Sequence, residues 1–284
     1  MNFNDITISL VLFRSEKVVF QCLKSINKVK KIIIFDNSND TDLKKTINKK
    51  YPNIKYILSK KNIGYGAAHN KVLKLAKTPY VFVLNPDTIL EKNCIKELVD
   101  GANKLNNNFT IISPLTKPNN FGYFRDSFEE RIDNKKIIDV DFVNGFSMLI
   151  KKSKANYFDN SFFLYLEEID LCKRIKKRNE KIFIIRDSKI KHLAAKSSNI
   201  GFEFDKCRNW HWMWSKVYYN IKYKNFFYAF RKAFFIILFN YIKGTLFYLF
   251  NKRKSTIYFL RASGTFNAIV GRGSWYRPKL SSAN

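Results

Sequence analysis

Acidic residues are scarce in this chain. Its 284 residues include 52 Lys and Arg but only 23 Asp and Glu, a formal net charge of +29. Such a balance concentrates polyanions, so nucleic acid, anionic lipid and phosphate-bearing substrates are the partner classes it admits. AT-rich codons also yield abundant Lys, Asn, Ile, Phe and Tyr, and only the local placement of charge separates the two readings. Cysteines are few as well: Cys22, Cys94, Cys172 and Cys207 lie far apart with no CxxC pair. That spacing excludes a clustered metal site and reads as packed thiols of a reducing compartment. The first fifteen residues, MNFNDITISLVLFRS, have no basic region followed by an apolar run and a small-residue cleavage site, so no export signal is expected. Internal repeats, a GxGxxG fingerprint and the Lys-Ser/Thr of a P-loop are all missing, which removes solenoids and two common phosphate cradles. What is present is core material: 46% hydrophobic and 16% aromatic residues suffice for one large domain with an appendage, or two modest ones.

The apolar runs alternate in type. ITISLVLF (6–13), IIIF (32–35), NIKYIL (53–58) and YVFVL (80–84) have strand length and β-branched content. Between the first two, Val18, Cys22 and Ile26 recur at helical spacing, and a second helical stretch covers about 66–76. Strand and helix alternating in short units predict an α/β fold, a mostly parallel sheet wrapped by helices. Further on, the pattern predicts a helix at 91–106, a strand at 140–150, an acidic helix at 164–177 and a strand at 181–191 ending in His192. From about residue 205 the character changes to aromatic, helical segments: WHWMW (210–214), YYNIKYKNFFY (218–228) and AFFIILFNYIKGTLFYLF (233–250). The expected division is therefore a sheet domain over 1–204 and a helical segment over 205–284.

In such sheets ligands gather at the carboxyl ends of strands. DNSNDTD (36–42) follows the second strand, where Asp36 can hydrogen-bond a ligand from a fixed platform; the plain structural alternative is an Asx turn with Asp40 or Thr41 capping the next helix. NIGYGAAHN (62–70) brings two glycines into a helix start, a geometry that can hold an anion or simply allow close packing; His69 reads as structural. NPD (85–87) ends a strand, and Asp87 there can take Mg²⁺ or Mn²⁺, hard cations that complete their shell with phosphate. Taken alone, a plain turn Asp after Pro is the stronger reading. His192, at its own strand end, can complete such a shell, with Lys191, Lys196 and two serines nearby to meet phosphate.

The run LYLEEIDLCKRIKK (164–177) gathers three of the scarce carboxylates. At about 100° per residue, Ile169, Leu171, Cys172 and Ile175 define an apolar sector with Glu168 near its centre. Glu167, Asp170, Arg174 and Lys177 fall on the opposite half, and Asp170 and Arg174 are spaced for an exposed i, i+4 pair. Acidic residues in a first helical turn complement the helix dipole, which accounts for Glu167 and Asp170. It does not account for Glu168, because a carboxylate on the buried side costs desolvation unless it has a task. A partly buried carboxylate with a raised pKa suits a general base.

The order DNSND (36–40), NIGYGAAHN (62–70), NPD (85–87), VNG (143–145), YLEEIDLCKR (165–174) and HLAAKS (192–197) resembles that of the family-2 inverting glycosyltransferases of GT-A fold, particularly a bacterial rhamnosyltransferase-like branch. The resemblance covers about residues 6–225. It implies a nucleoside-diphosphate sugar donor, with Asp36 and Asn37 at the nucleotide base and Asn62, Gly64 and Asn85 in the donor pocket. It implies a divalent cation at Asp87 with His192 beside it, Glu168 as catalytic base, Asp170 supporting the acceptor or sugar, and Glu167 within the same catalytic group. The implied reaction is one in-line displacement with inversion at the anomeric carbon. Two departures stand out: Asn85 replaces a commoner Asp, and Glu168 replaces a commoner Asp and reaches one methylene further.

In the tail, residues 233–250 form an 18-residue apolar run broken by one charge, Lys243, with Arg231, Lys252, Arg253 and Lys254 flanking it. Lys232, Asn240 and Lys243 share a side of the wheel. This favours a helix lying in the interface of an anionic membrane over a span or a core helix, with Trp210, Trp212 and Trp214 as anchors. A lipid-linked saccharide acceptor, in cell-surface polysaccharide synthesis at the inner face of the cell membrane, fits that placement. Two rivals remain: a nucleotide-sugar binder without turnover, and a nucleic-acid binder stacking bases on WHWMW and YYNIKYK, which leaves the carboxylates and strand-end turns without a use.

Overall fold

The computed structural model describes residues 1–116, 136–153, 157–193, 198 and 200–278. Most of the 115–139 stretch, which held no readable motif, and Lys196 and Ser197 lie outside these. Nine strands among the described residues form one sheet in the order β3-β2-β1-β4-β8-β6-β9-β5, with β7 paired to β9. The strands are β1 (Ile6–Leu12), β2 (Lys31–Asp36), β3 (Lys55–Leu58), β4 (Tyr80–Leu84), β5 (Thr88–Leu90), β6 (Ile111–Thr116), β7 (Ile137–Asp139), β8 (Ser147–Lys151) and β9 (Ile182–His192). β1, β2, β3 and β4 are mutually parallel, joined by α1 (Glu16–Ser25), α2 (Thr41–Lys50) and α3 (Tyr65–Leu75). Beyond β4 the sheet is mixed: β8 runs antiparallel to β4 and β6, and β9 runs parallel to β6 but antiparallel to β5 and β7. The α/β architecture with a helical C-terminal segment is as the alternation of runs implies, with an antiparallel half added to the parallel one.

Burial follows the sequence pattern. β1 and β4 are buried along their whole length, as continuous β-branched and aromatic runs covered on both faces must be. α1 buries Val18, Val19, Cys22 and Leu23 on one stripe, and α4 (Cys94–Lys104) buries Ile95, Leu98, Val99 and Ala102. Asp40 caps α2 by accepting from the Asp42 and Leu43 amides. The four cysteines are free and buried. Of the strand expected at 140–150 only the last part forms, as β8: residues 140–146 lie outside any strand, and the Ser147 amide donates to the Asn144 carbonyl at 3.4 Å.

Two compact units divide the chain differently from the expected cut at 204/205. The first holds Met1–Ile63, Ala67–Phe158 and Leu171–Ser198; the second holds Gly64–Gly66, Asp159–Asp170 and the chain from residue 199 on. The three carboxylates of the acidic run therefore belong with the helices. α5 (Glu167–Lys177) begins in this helical unit and ends in the sheet unit, where Leu171, Cys172 and Ile175 are buried as its apolar sector predicts.

The helical unit contains α6 (Phe202–Tyr223), α7 (Phe226–Tyr248) and α8 (Lys252–Ile269). Trp210 and Trp214 form its core with Val217, Ala233 and Ala268, and their indole N–H groups donate to Ser263 Oγ at 3.2 Å and the Arg272 carbonyl at 2.8 Å. This corrects their expected role as membrane anchors. It also withdraws those two rings as a stacking platform for bases, since both faces are spent on packing. Trp212 is half-buried, edge-on to Tyr165 at 5.5 Å. α7 turns Ala229, Ala233, Asn240 and Gly244 inward and its large apolar side chains outward. Asn240 is thus not on a solvated side with Lys232 and Lys243: it is buried, its amide donating to the Ile236 carbonyl at 2.7 Å. Gly244 is needed there, because a Cβ would meet the Phe259 ring at 2.9 Å.

Candidate active site

In the sheet unit, parallel pairing of β1 with β2 and β4 puts Asp36 and Asn85 at one edge, the carboxyl ends of the strands. Asp36 is fully buried. Its Oδ1 accepts from the Ser38 amide at 2.8 Å and from the Ser38 hydroxyl, and its Oδ2 accepts from the Asp40 amide at 3.0 Å and the Tyr56 hydroxyl at 2.9 Å. A buried carboxylate is tolerated when its lone pairs are satisfied this way, and these four donors fix the 36–40 turn. Asn37 Oδ1 accepts from the Ile63 amide at 3.2 Å, which ties the 62–64 stretch to the strand end. Asn62 is half-buried beside it in the chain. His69 is fully buried with Nδ1 on Ser9 Oγ at 2.7 Å, and burial pushes its pKa down to about 3, a structural neutral imidazole.

Asp87 and His192 meet. Thr88 and His192 are paired across β5 and β9, and His192 Nε2 lies 3.3 Å from Asp87 Oδ1. The Leu193 amide donates to the Asp87 carbonyl at 2.8 Å, and the imidazole is stacked on Phe146 with centroids 4.2 Å apart. The Asn85 carbonyl accepts from Thr88 Oγ1 at 2.7 Å and from the buried Cys22 thiol at 3.6 Å, so the turn carrying Asp87 is held rigidly. The Asn85 side-chain oxygen is buried with no hydrogen-bond partner among the described residues. A carboxylate, an imidazole and an amide oxygen match the ligand preferences of a hard divalent cation that keeps further positions for phosphate oxygens. Among the described residues no group of three or more His, Cys, Asp or Glu is placed to hold a metal ion.

In the helical unit, Gly64 enters α3 with φ +93°, and a Cβ on it would lie 2.6 Å from the Phe163 carbonyl oxygen. That oxygen accepts from the Tyr65 amide at 3.0 Å, taking up one donor of the helix start proposed as an anion cradle. The segment facing it, 159–166, ends in two consecutive left-handed residues, Tyr165 (φ 72°) and Leu166 (φ 67°), immediately before α5. Non-glycine residues in that region cost about 1–3 kcal/mol each and persist only where neighbours hold them, typically at functional sites.

The strained turn delivers Glu167, Glu168 and Asp170 into different surroundings. Glu168 is half-buried, and burial pushes its carboxyl up to about 7, against two backbone hydrogen bonds that pull it down. Glu167 is more buried than the helical wheel implies, at 4% exposure; burial and the adjacent Glu168 raise its pKa well above the carboxylate range. Its Oε2 has no hydrogen-bond partner among the described residues. Asp170 is wholly buried rather than exposed, and its carboxylate accepts from the Tyr223 hydroxyl at 2.7 Å and pairs with Lys222 at 2.6 Å. The expected surface pair with Arg174 is replaced by partners some fifty positions away, and Arg174 donates instead to the Tyr157 carbonyl. No helical wheel reveals this, because the signal lies in a later helix.

Three proteins of known character resemble the chain. It is 29% identical over 199 residues to the low-salt glycan biosynthesis hexosyltransferase Agl10 of Haloferax volcanii, covering 62% of this chain and 63% of that protein, just under two thirds of its length. In fold it matches the mannosyltransferase PcManGT of Pyrobaculum calidifontis, solved with GDP-Man and Mn²⁺: TM-score 0.57, 12% identity, 94% of this chain and 86% of that one. It also matches GalNAc-T7, solved with UDP, GalNAc and Mn²⁺: TM-score 0.54, 14% identity, 66% of this chain and 43% of that one. At such identities the two structures speak to the fold alone. The family model for glycosyl transferase family 2 matches residues 7–158, over half of the chain, and ends before the Glu168 turn. With that match spanning eight of the nine strands, β1 to β8, and the turns after β2 and β4, the chain belongs to glycosyl transferase family 2.

Proposed function

We propose that this chain is an inverting glycosyltransferase that moves a hexosyl unit from a nucleoside-diphosphate sugar to a hydroxyl of a saccharide acceptor. The observation that carries the reading is Glu168: a half-buried carboxyl raised to about 7, presented by a strained turn, in a chain of this family. A carboxylate of that strength can take the acceptor hydroxyl's proton near neutral pH. Glu167, adjacent and more buried, is raised by burial and by the Glu168 charge, which favours its neutral form beside the base. Asp87, His192 and Asn85 would hold a Mg²⁺ or Mn²⁺, which when bound neutralises the departing diphosphate. Mn²⁺ accompanies both structural neighbours. Asp36 and Asn37 set the turn that would meet the nucleotide base, with Asn62 and Gly64 lining the donor pocket. A single displacement inverts the anomeric configuration. The motif order resembles that of the rhamnosyltransferase-like branch, and the sugar within the hexosyl class is for the donor panel below to decide.

The same reading sets the enzyme on an anionic membrane, on its cytoplasmic side, where a lipid-linked acceptor is reached and cell-surface polysaccharide is begun. Among the described residues no helix is long and apolar enough to cross a membrane. Yet α7 presents Phe227, Phe234, Phe235, Leu238, Phe239 and Leu246 outward, 48–74% exposed, while its small residues pack inward. An apolar half-cylinder of this size is untenable in water without a cover. Lys232 and Lys243 edge it, folded over Tyr228 and Phe239 at 4.6 and 4.3 Å, and no Asp or Glu follows Asp205 in the chain. Apolar side chains edged by cations suit the headgroup boundary of an anionic bilayer.

The experiment that tests the reading is release of nucleoside diphosphate from a panel of nucleotide sugars with Mn²⁺. One donor is expected to be consumed when a lipid-linked acceptor is supplied. A donor that protects against thermal unfolding but is never consumed would make the protein a binder.

A further inference from the structure

α6 runs along the segment that carries the carboxylates. Its residues at successive three- and four-residue steps engage 159–170 in turn: Arg208 Nε donates to the Tyr165 hydroxyl at 2.7 Å, the His211 ring stacks on Phe163 with centroids 4.4 Å apart, and Ser215 Oγ donates to the Leu164 carbonyl at 2.8 Å. Tyr218 then donates to Asp159 Oδ2 at 3.1 Å. Lys222 closes the series. Its ammonium lies 2.7 Å from Asp159 Oδ2 and 2.6 Å from Asp170 Oδ1, so one cation joins the first and last residues of the segment.

We infer that Lys222 is a positioning residue: by pinning both ends of the 159–170 segment, it holds the left-handed pair Tyr165–Leu166 in place and thereby sets where the Glu168 carboxylate stands. Three features support this. The wholly buried Asp170 has Lys222 as its ionic partner, and removing the partner of a buried charge is far costlier than loosening a surface pair. Burial alone would lower the Lys222 pKa, but its bonds to Asp159 and Asp170 outweigh this and hold it above its ordinary range. Asp159, which burial alone would raise, is held low by Lys222. The bridge also works against the chain's own preferences, because two consecutive left-handed non-glycine residues relax to other conformers once released. The catalytic consequence rests on Glu168 being the base; the hold on the segment does not.

The full-length chain tests this with Lys222→Met, which keeps the aliphatic stem, and Lys222→Arg, which restores a cation. The first readout is amide hydrogen exchange. In Lys222→Met, peptides spanning 159–170 should exchange about tenfold or more faster while those of the sheet are unchanged, and Lys222→Arg should recover most of the protection. The second is nucleoside diphosphate release with the donor found above: kcat should fall about tenfold or more with the donor KM within about twofold, and the acid limb of the pH profile should move. Asp159→Asn removes one arm of the bridge without touching buried Asp170; it should give the same changes in smaller measure, and it serves if Lys222→Met does not fold. Unchanged exchange in 159–170, or exchange that rises equally in the sheet, overturns the inference. Glu168→Gln separates the two claims: full turnover in that variant with a loosened segment in Lys222→Met sinks the base assignment and keeps the positioning role. A dead Glu168→Gln beside a Lys222→Met with wild-type exchange and kcat does the reverse.

Discussion

At position 168 the same burial that raises the carboxyl to about 7 defines its use and its cost. A base works only when deprotonated, so kcat/KM should rise as pH passes upward through about 7, and Glu168→Gln should lower kcat by about 10²–10⁴-fold while leaving donor affinity intact. The stability linkage has the opposite sense. The folded-state pKa lies above the unfolded value of 4.5, so the native state binds more protons between these limits, and stability should fall as pH rises from 4.5 to about 7. Melting temperatures of wild type and Glu168→Gln across that window check it, with the variant expected to show the flatter profile. Glu168 was legible in the sequence because its wheel position set it among Ile169, Leu171, Cys172 and Ile175. The burial of Glu167 and Asp170 was not: Asp170 is met by Lys222 and Tyr223, and neither of those stands out in an aromatic, basic stretch.

The turns are where elements are committed to the site. Gly64 combines a left-handed φ with a Phe163 carbonyl oxygen 2.6 Å from where a Cβ would stand. Gly64→Ala should therefore destabilise the protein by about 1–3 kcal/mol or more, read as a fall in denaturation midpoint. The glycine requirement is visible in NIGYG, but the oxygen that imposes it comes from a residue about a hundred positions later. The NPD turn has the same character. Its place after a buried strand is readable from YVFVLNPD, whereas the approach of His192 to Asp87 depends on β5 and β9 pairing in the register Thr88↔His192. The late start of β8, at Ser147 instead of residue 140, was missed because a buried Val143 extends the apolar run through the preceding connection. WHWMW reads as a membrane belt by composition; only the packing of α6 against Ala233 and Ala268 assigns it to a core.

For the molecule as a whole, the alternation of strand and helix and the change of character near residue 200 are local signals, and both are legible. Which unit owns the acidic segment is not, since Gly64–Gly66 and Asp159–Asp170 join the helices through contacts remote in sequence. The outward apolar half of α7 has a consequence at this scale. The protein should co-float with vesicles containing anionic lipid, less so at high salt. Phe227→Asp with Phe235→Asp removes roughly 3 kcal/mol or more of apolar insertion and should abolish flotation without lowering the melting temperature. Nucleoside diphosphate release from a panel of nucleotide sugars, with Mn²⁺ and a lipid-linked acceptor, measured for wild type and Glu168→Gln side by side, separates transfer from binding most directly. One donor is expected to stabilise both proteins against unfolding, and only the wild type is expected to consume it. Consumption by Glu168→Gln at the wild-type rate, or by neither protein, would contradict that expectation.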